Sequence, residues 1–99
     1  MRKIIKRIQE NEERLDRLTV IMRDLENALD NFEESQALLK DLNEYYGSKE
    51  WFKDKDAYET GKIERIKAGV LSEDAVWNLI TDVIRIKEKI QEISDKIKI

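Results

Sequence analysis

The feature that most constrains the fold of this chain is an apolar repeat that runs through its first 46 residues. Apolar side chains recur there at alternating steps of three and four residues, and neither proline nor glycine occurs before Gly47. This period is typical of helices that pack along one face. We therefore predict a coiled-coil-like helix over about residues 2–46. The apolar members of the series are Ile4, Ile8, Leu15, Leu18, Met22, Leu25, Leu29, Phe32, Leu39 and Tyr46.

The end of the chain repeats the same pattern. Three residues before this apolar pattern indicate the start of a helix. The hydroxyl of Ser72 can cap a helix, and the acidic Glu73 and Asp74 suit the positive end of a helix dipole. These signals predict a second long helix over about residues 73–98. Its apolar series is Val76, Leu79, Val83, Ile86, Ile90, Ile93 and Ile97.

The middle of the chain contains all three glycines, Gly47, Gly61 and Gly69. Because glycine commonly ends helices, we predict short helices over about residues 49–60 and 62–68, the first of them capped by Ser48. The whole chain, residues 1–99, is then a single all-α domain. We expect a helical hairpin or bundle in which a short-helix elbow, around Tyr45, Tyr46, Trp51 and Trp77, leads into an antiparallel C-terminal helix.

The two long helices differ in length, about 68 Å against about 39 Å at 1.5 Å per residue. The last helix therefore cannot cover the start of the first, where Ile4, Ile8, Leu15 and Leu18 would project. An apolar stripe of this length is rarely left in water, so we predict a homodimer, or a complex with another helical protein, through these four residues. The alternative is a break near residues 33–36 that folds the first helix back into a compact monomeric bundle.

Charge favours an antiparallel dimer. The first helix begins with a basic cluster and its far half is acidic, so antiparallel chains bring unlike charges together. The cluster consists of Arg2, Lys3, Lys6 and Arg7, and the acidic residues are Asp30, Glu33, Glu34, Asp41 and Glu44.

Composition restricts the chemistry. The chain contains no cysteine and no histidine, which removes thiol nucleophiles, thiolate metal sites and the side chain that titrates near neutral pH. Asp54, Asp56 and Glu59 lack the spacing of a calcium loop and are interpreted as surface charge. We expect no enzyme activity, no catalytic residue, no cofactor and no metal. The net charge of −3 gives no reason to expect nucleic-acid binding.

No stretch approaches the roughly 20 apolar residues of a membrane span, and the N-terminus lacks the apolar run of a signal peptide. We predict a cytoplasmic protein. The segment "MRKIIKRI" could rest on an anionic membrane, but acidic residues follow after only two turns, which leaves too little apolar area for firm binding.

The elbow is rich in aromatic residues, which supply a large contact area at small entropic cost. One interpretation is a groove for a small molecule or peptide. The other, which we favour, is that the rings fill a tight corner between helices. The residues concerned are Tyr45, Tyr46, Trp51, Phe52, Tyr58 and Trp77.

Two motifs in this region, "YYGSKEW" and "GVLSEDAVWNLI", follow an N-terminal "RIQENEERLDRL". Together they resemble a family of small bacterial helical proteins known only as a domain of unknown function, and the resemblance covers nearly the whole chain. It implies a small cytoplasmic all-α protein and supplies no activity and no catalytic residue. The sequence thus favours a non-enzymatic interaction or scaffold protein, with a ligand or peptide binder that uses the aromatic elbow as the alternative.

Overall fold

The computed structural model describes all residues from Met1 to Ile99 and contains helices but no strand. The helices are α1 (Arg2–Glu34), α2 (Gln36–Tyr45), α3 (Lys49–Glu59) and α4 (Glu73–Lys96), and a single 3-10 turn, Gly69–Leu71, precedes α4. The all-α class and the long N-terminal helical segment are therefore confirmed.

The N-terminal segment is interrupted at Ser35, so the prediction of one helix over residues 2–46 needs correction. Ser35 keeps right-handed helical dihedral angles, φ −73° and ψ −9°. Its hydroxyl donates to the carbonyl of Phe32 at 2.7 Å, and the side-chain amide of Gln36 donates to the same carbonyl at 3.1 Å. Hydroxyl groups that bind back to the preceding turn in this way often bend helices. Ser35 therefore separates α1 from α2 without reversing the chain.

The corner after α2 forms where the sequence predicts it. Gly47 adopts a left-handed conformation, φ 79°, which ends the helix because few residues other than glycine tolerate it. Ser48 then caps α3, since its hydroxyl oxygen accepts from the backbone N–H of Trp51 at 3.2 Å. Two adjacent residues thus stop one helix and start the next.

The end of α3 is also set by glycine, but the helix predicted at 62–68 is wrong. Gly61, with φ 72°, closes α3, and the N–H of Lys62 reaches back to the carbonyl of Ala57 at 2.9 Å. Residues 64–68 then have no regular structure. The phenolic hydroxyl of Tyr58 donates to the carbonyl of Ile66 at 3.1 Å, so an aromatic side chain takes an acceptor that a helix would use internally.

The start of α4 follows the predicted signals. The hydroxyl of Ser72 accepts from the backbone N–H of Ala75 at 3.1 Å, and Glu73 and Asp74 lie in the first turn. Lys96 lies in the last turn, where a cation suits the negative end of the helix dipole.

The chain divides into two compact units, residues Met1–Leu39 and Lys40–Ile99. The first unit consists of α1 and the beginning of α2, and none of the residues of α1 is buried. All three buried apolar side chains, Trp51, Leu71 and Val76, lie in the second unit. The prediction of a single domain with an antiparallel C-terminal helix stays a prediction.

Candidate functional site

Trp51 is the centre of the elbow. Only 3 % of its surface is exposed, and its indole N–H donates to the carbonyl of Val70 at 2.9 Å. The rings of Tyr46 and Phe52 lie 5.3 Å and 4.9 Å from it, in tilted and edge-on arrangements, and the ammonium of Lys55 lies 5.2 Å from its centroid. These distances are typical of favourable aromatic and cation–π contacts. Trp51 thus fills the corner, as the plug interpretation predicts.

Glu73 connects this cluster to the start of α4. Its backbone carbonyl accepts from the hydroxyl of Tyr46 at 2.8 Å, and its carboxylate lies 3.2 Å from the ammonium of Lys55. The end of α2 and the middle of α3 are therefore both tied to the first turn of α4. Since the carboxylate of Glu73 is largely exposed, we regard the ion pair as a weak contribution and the hydrogen bond as the firmer one.

Tyr45 forms the most strongly perturbed titrating group of the chain. Its hydroxyl donates to a carboxylate oxygen of Asp54, on α3, at 2.5 Å. This hydrogen bond, together with partial burial and the negative charge of Asp54, raises the pKa of Tyr45 to about 12. All three effects stabilise the neutral phenol over the phenolate. Tyr45 therefore stays a hydrogen-bond donor throughout the physiological range.

A cavity of about 230 Å³ lies beside this pair. The segment that follows α3 forms one wall, and α3 together with the end of α2 forms the other. The lining is mainly aliphatic, with Tyr45, Asp54 and Lys67 as its polar members. The remaining lining residues are Ala57, Ile63, Ile66, Ala68, Val70 and Leu71.

The structure brings some of the predicted groove residues together and leaves others apart. Tyr46, Trp51 and Phe52 form one ring cluster, although Phe52 is 60 % exposed. Of the predicted residues, Tyr45 alone lines the cavity. Tyr58 holds the segment after α3 in place through Ile66, with the guanidinium of Arg65 5.3 Å from its ring. Trp77 takes no part in these contacts and is 63 % exposed. That these rings bind a ligand stays a prediction.

Sequence reasoning missed the aliphatic side of the cavity. Ile63 and Ile66 were assigned to a helix, whereas they lie in an irregular segment and line a concave surface. The available signal was the spacing of these two isoleucines directly after Gly61. The same spacing also places the two isoleucines on one face of a helix, so the sequence could not distinguish a cavity lining from helix packing.

The apolar face of α1 is the second candidate site. The four residues predicted to form an interface are all exposed, between 46 % for Ile4 and 59 % for Leu15. Met22, Leu25 and Leu29, which continue the same series, are 40–53 % exposed. The face thus extends along nearly the whole helix.

No group of three or more acidic side chains is gathered in a way that could hold a metal ion. None of the helices combines the length and the apolar character that a membrane crossing requires.

These features define a small all-α protein with a packed aromatic corner and a long helix that buries none of its side chains. The chain belongs to the family described as Domain of unknown function (DUF4298), whose model matches residues 8–93 and therefore spans most of α1 and α4. No curated protein and no solved structure matches the sequence.

Proposed function

We propose that this protein is a non-enzymatic interaction or scaffold protein that self-associates through the apolar face of α1. The observation that carries the proposal is the exposure of every apolar member of the series from Ile4 to Leu29, in a helix that buries no residue. Single exposed apolar side chains are ordinary, but a contiguous stripe of them usually marks a surface that another molecule covers.

The length of α1 supports the same proposal. The helix has 33 residues and therefore extends about 50 Å. In proteins most of the stability of a helix comes from the packing of its amphipathic face rather than from intrinsic propensity. The i,i+4 pair of Lys6 and Glu10, 3.8 Å apart, is solvent-exposed and contributes little to that stability. A partner helix along the apolar face would supply the missing packing.

The composition is compatible with a cytoplasmic location and with a protein partner rather than a nucleic acid. The 19 basic and 22 acidic residues nearly balance, so the chain as a whole lacks the excess positive charge that binds phosphate backbones. The absence of cysteine suits a reducing compartment.

The test compares two double variants by size-exclusion chromatography with light scattering. Ile8→Asp with Leu15→Asp places two charges on the apolar face, whereas Val20→Asp with Asn27→Asp adds the same charge to positions of α1 outside the repeat. We expect the wild type and the second variant to show twice the chain mass of 11.8 kDa, and the first variant to show the mass of one chain.

Fluorescence of the buried Trp51, measured with Trp77→Phe in every protein so that one indole emits, reports whether the corner stays folded in each variant. Unchanged emission in the monomeric variant would separate dissociation from unfolding. A single-chain mass for the wild type at micromolar concentration would contradict the proposal.

A second candidate function is the binding of a small, mainly apolar molecule in the cavity beside Tyr45. The observation that favours it is the volume of about 230 Å³. A dry cavity of about 150 Å³ holds benzene, whereas typical ligand pockets begin near 300 Å³, so only a small ring system would fit here. Lys67 and Asp54 could orient a polar substituent at the edge.

Methyl resonances of Leu71, which is present in all the proteins compared, would report binding of indole, used as a probe of suitable size. We expect shifts in the wild type and none in Ala57→Leu, which fills the cavity, while Ala75→Leu in α4 serves as the matched control. Equal responses in all three proteins would exclude this cavity as the site.

A further inference from the structure

We propose that the apolar face of α1 is covered by a second copy of this chain in antiparallel orientation. In this arrangement the two-fold axis passes between Leu15 and Leu18, so that Leu15 packs against the partner's Leu18. The adjacent layers then combine Ile8 with the partner's Leu25 and Ile4 with the partner's Leu29. The inference rests on the proposed self-association and adds the direction and the register of the second copy.

The charge of α1 favours this direction. All the charged residues of the first two turns are basic, and all those from Asp24 onwards are acidic. Antiparallel packing places the basic end of each helix beside the acidic end of the other, whereas parallel packing places like charges together, which is unfavourable. The basic residues are Arg2, Lys3, Lys6 and Arg7, and the acidic residues are Asp24, Glu26, Asp30, Glu33 and Glu34.

The helix dipole favours it as well. α1 has no acidic residue in its first turn and no basic residue in its last turn, so its own charges oppose its dipole at both ends. Met1 provides no side-chain cap either. An antiparallel partner brings its acidic turns beside this N-terminus and its basic turns beside the acidic C-terminus. The charges that oppose the dipole of their own helix are then attracted by the opposite charges of the partner helix.

The proposed register leaves no apolar residue of the series from Ile4 to Leu29 without a partner in α1. In the pairing about Leu15 and Leu18, every member of the series from Ile4 to Leu29 meets another member within the uninterrupted helix. Shifting the partner by one repeat in one direction leaves Leu29 uncovered. Shifting it in the other pairs Ile4 with Gln36, which lies beyond the interruption at Ser35.

The one polar member of these layers, Asn11, does not oppose the pairing. Its side-chain NH₂ donates to the carbonyl of Arg7 at 2.8 Å, and its carbonyl oxygen accepts from the guanidinium of Arg14 at 3.2 Å. The amide is therefore satisfied within its own helix and can lie opposite the partner's Met22. A flexible methionine side chain adapts to such a neighbour.

Distance measurement between two spin labels tests the direction, and the absence of native cysteine makes single labels specific. Two variants are compared, Lys3→Cys near the end of α1 and Thr19→Cys near the proposed axis, both at exposed positions. In the antiparallel dimer the two labels at position 3 are separated along the helix axis by the length of about 27 residues, which is about 40 Å at 1.5 Å per residue. The two labels at position 19 are separated along the helix axis by only about 8 Å.

The outcomes separate the two proposals. A long distance for Lys3→Cys with a short one for Thr19→Cys, both lost on dilution with unlabelled chain, supports the antiparallel dimer. Short distances in both variants overturn the antiparallel direction but leave self-association intact. A distance for Lys3→Cys that departs by about 10 Å, the length of one seven-residue repeat, overturns the register. No measurable interaction in either variant contradicts self-association itself.

Discussion

The aromatic residues at the corner make different contacts and therefore have different roles. Trp51 is buried and hydrogen-bonded, so it acts through packing and through its N–H to Val70. Tyr46 acts through its hydroxyl, which holds the first turn of α4 at Glu73. Tyr45 faces a cavity and a carboxylate instead. A ligand that enters this region would therefore meet Tyr45 before it meets the indole.

The hydrogen bond between Tyr45 and Asp54 makes a prediction about titration. We expect Tyr45 to lose its proton near pH 12 in the folded protein. Asp54→Asn removes the negative charge, so the pKa of Tyr45 should fall toward the ordinary tyrosine value of about 10. Absorbance of the phenolate or NMR of the tyrosine rings would measure the change. Asp56→Asn is the control, because Asp56 pairs with Lys62 and not with Tyr45.

The same shift makes stability depend on alkaline pH. The folded state holds the proton of Tyr45 more tightly than the unfolded state, whose tyrosines titrate near pH 10. The contribution of this group is therefore complete below about pH 10 and is lost as the pH rises toward 12. Denaturant midpoints measured across this range should fall less in Asp54→Asn than in the wild type. Parallel curves for the two proteins would contradict the assigned role of Asp54.

At the scale of helices, the glycines provide a test of what ends α2 and α3. Gly47 and Gly61 have φ values of 79° and 72°, whereas Gly69 has no positive φ, and none of the three has an atom within 4 Å of an added Cβ. Substitution by alanine therefore differs only in backbone strain. We expect Gly47→Ala and Gly61→Ala each to lower the free energy of unfolding by about 1–2 kcal/mol.

Gly69→Ala is the matched control, and we expect it to be neutral or to stabilise the protein by up to about 1 kcal/mol through the unfolded state. Chemical denaturation of the three variants would measure these differences. Equal destabilisation in all three would contradict the role assigned to the positive φ of Gly47 and Gly61.

Local signals predicted the helices well where a single residue decides the structure. Ser48 and Ser72 cap α3 and α4 as expected, because capping depends only on the hydroxyl and on amides two or three residues away. The prediction of a helix over 62–68 was wrong because the conformation of this segment depends on Tyr58. The hydroxyl of Tyr58 donates from the preceding helix to the backbone carbonyl of Ile66. Ser35 lies within residues 33–36, where the alternative interpretation placed a break, but without a glycine or proline the apolar repeat does not indicate whether the chain bends or folds back there.

The candidate sites were predictable to different degrees. The exposed face of α1 follows directly from the periodicity, which places Ile8 and Leu15 on one side whatever the rest of the chain does. The cavity could not be predicted, because it is formed by an irregular segment against α3. Trp77 shows the opposite error, since its position near the other aromatics in sequence did not bring it into their cluster.

For the whole molecule, the two units differ in how they are stabilised. The unit of residues 40–99 contains every buried apolar side chain, both serine caps and the hydrogen bonds of Tyr46 and Trp51. The unit of residues 1–39 contains a helix with no buried residue. Residues 40–99 therefore have packing contacts of their own, whereas in residues 1–39 the proposed partner would supply the packing that stabilises helices.

This difference leads to an expectation for a fragment that comprises residues 40–99. It should stay folded around the buried Trp51. If the face of α1 is the main interface, the fragment should also be monomeric, although Leu79, Ile84, Ile90 and Ile93 of α4 are themselves 39–53 % exposed. Circular dichroism, fluorescence and light scattering on the fragment and on the full chain would measure both properties. A folded fragment that still forms dimers would place the interface in residues 40–99 and exclude α1 as its main component. An unfolded fragment would mean that the aromatic corner needs residues 1–39, because three buried side chains and two caps do not offset the conformational entropy of ordering the chain.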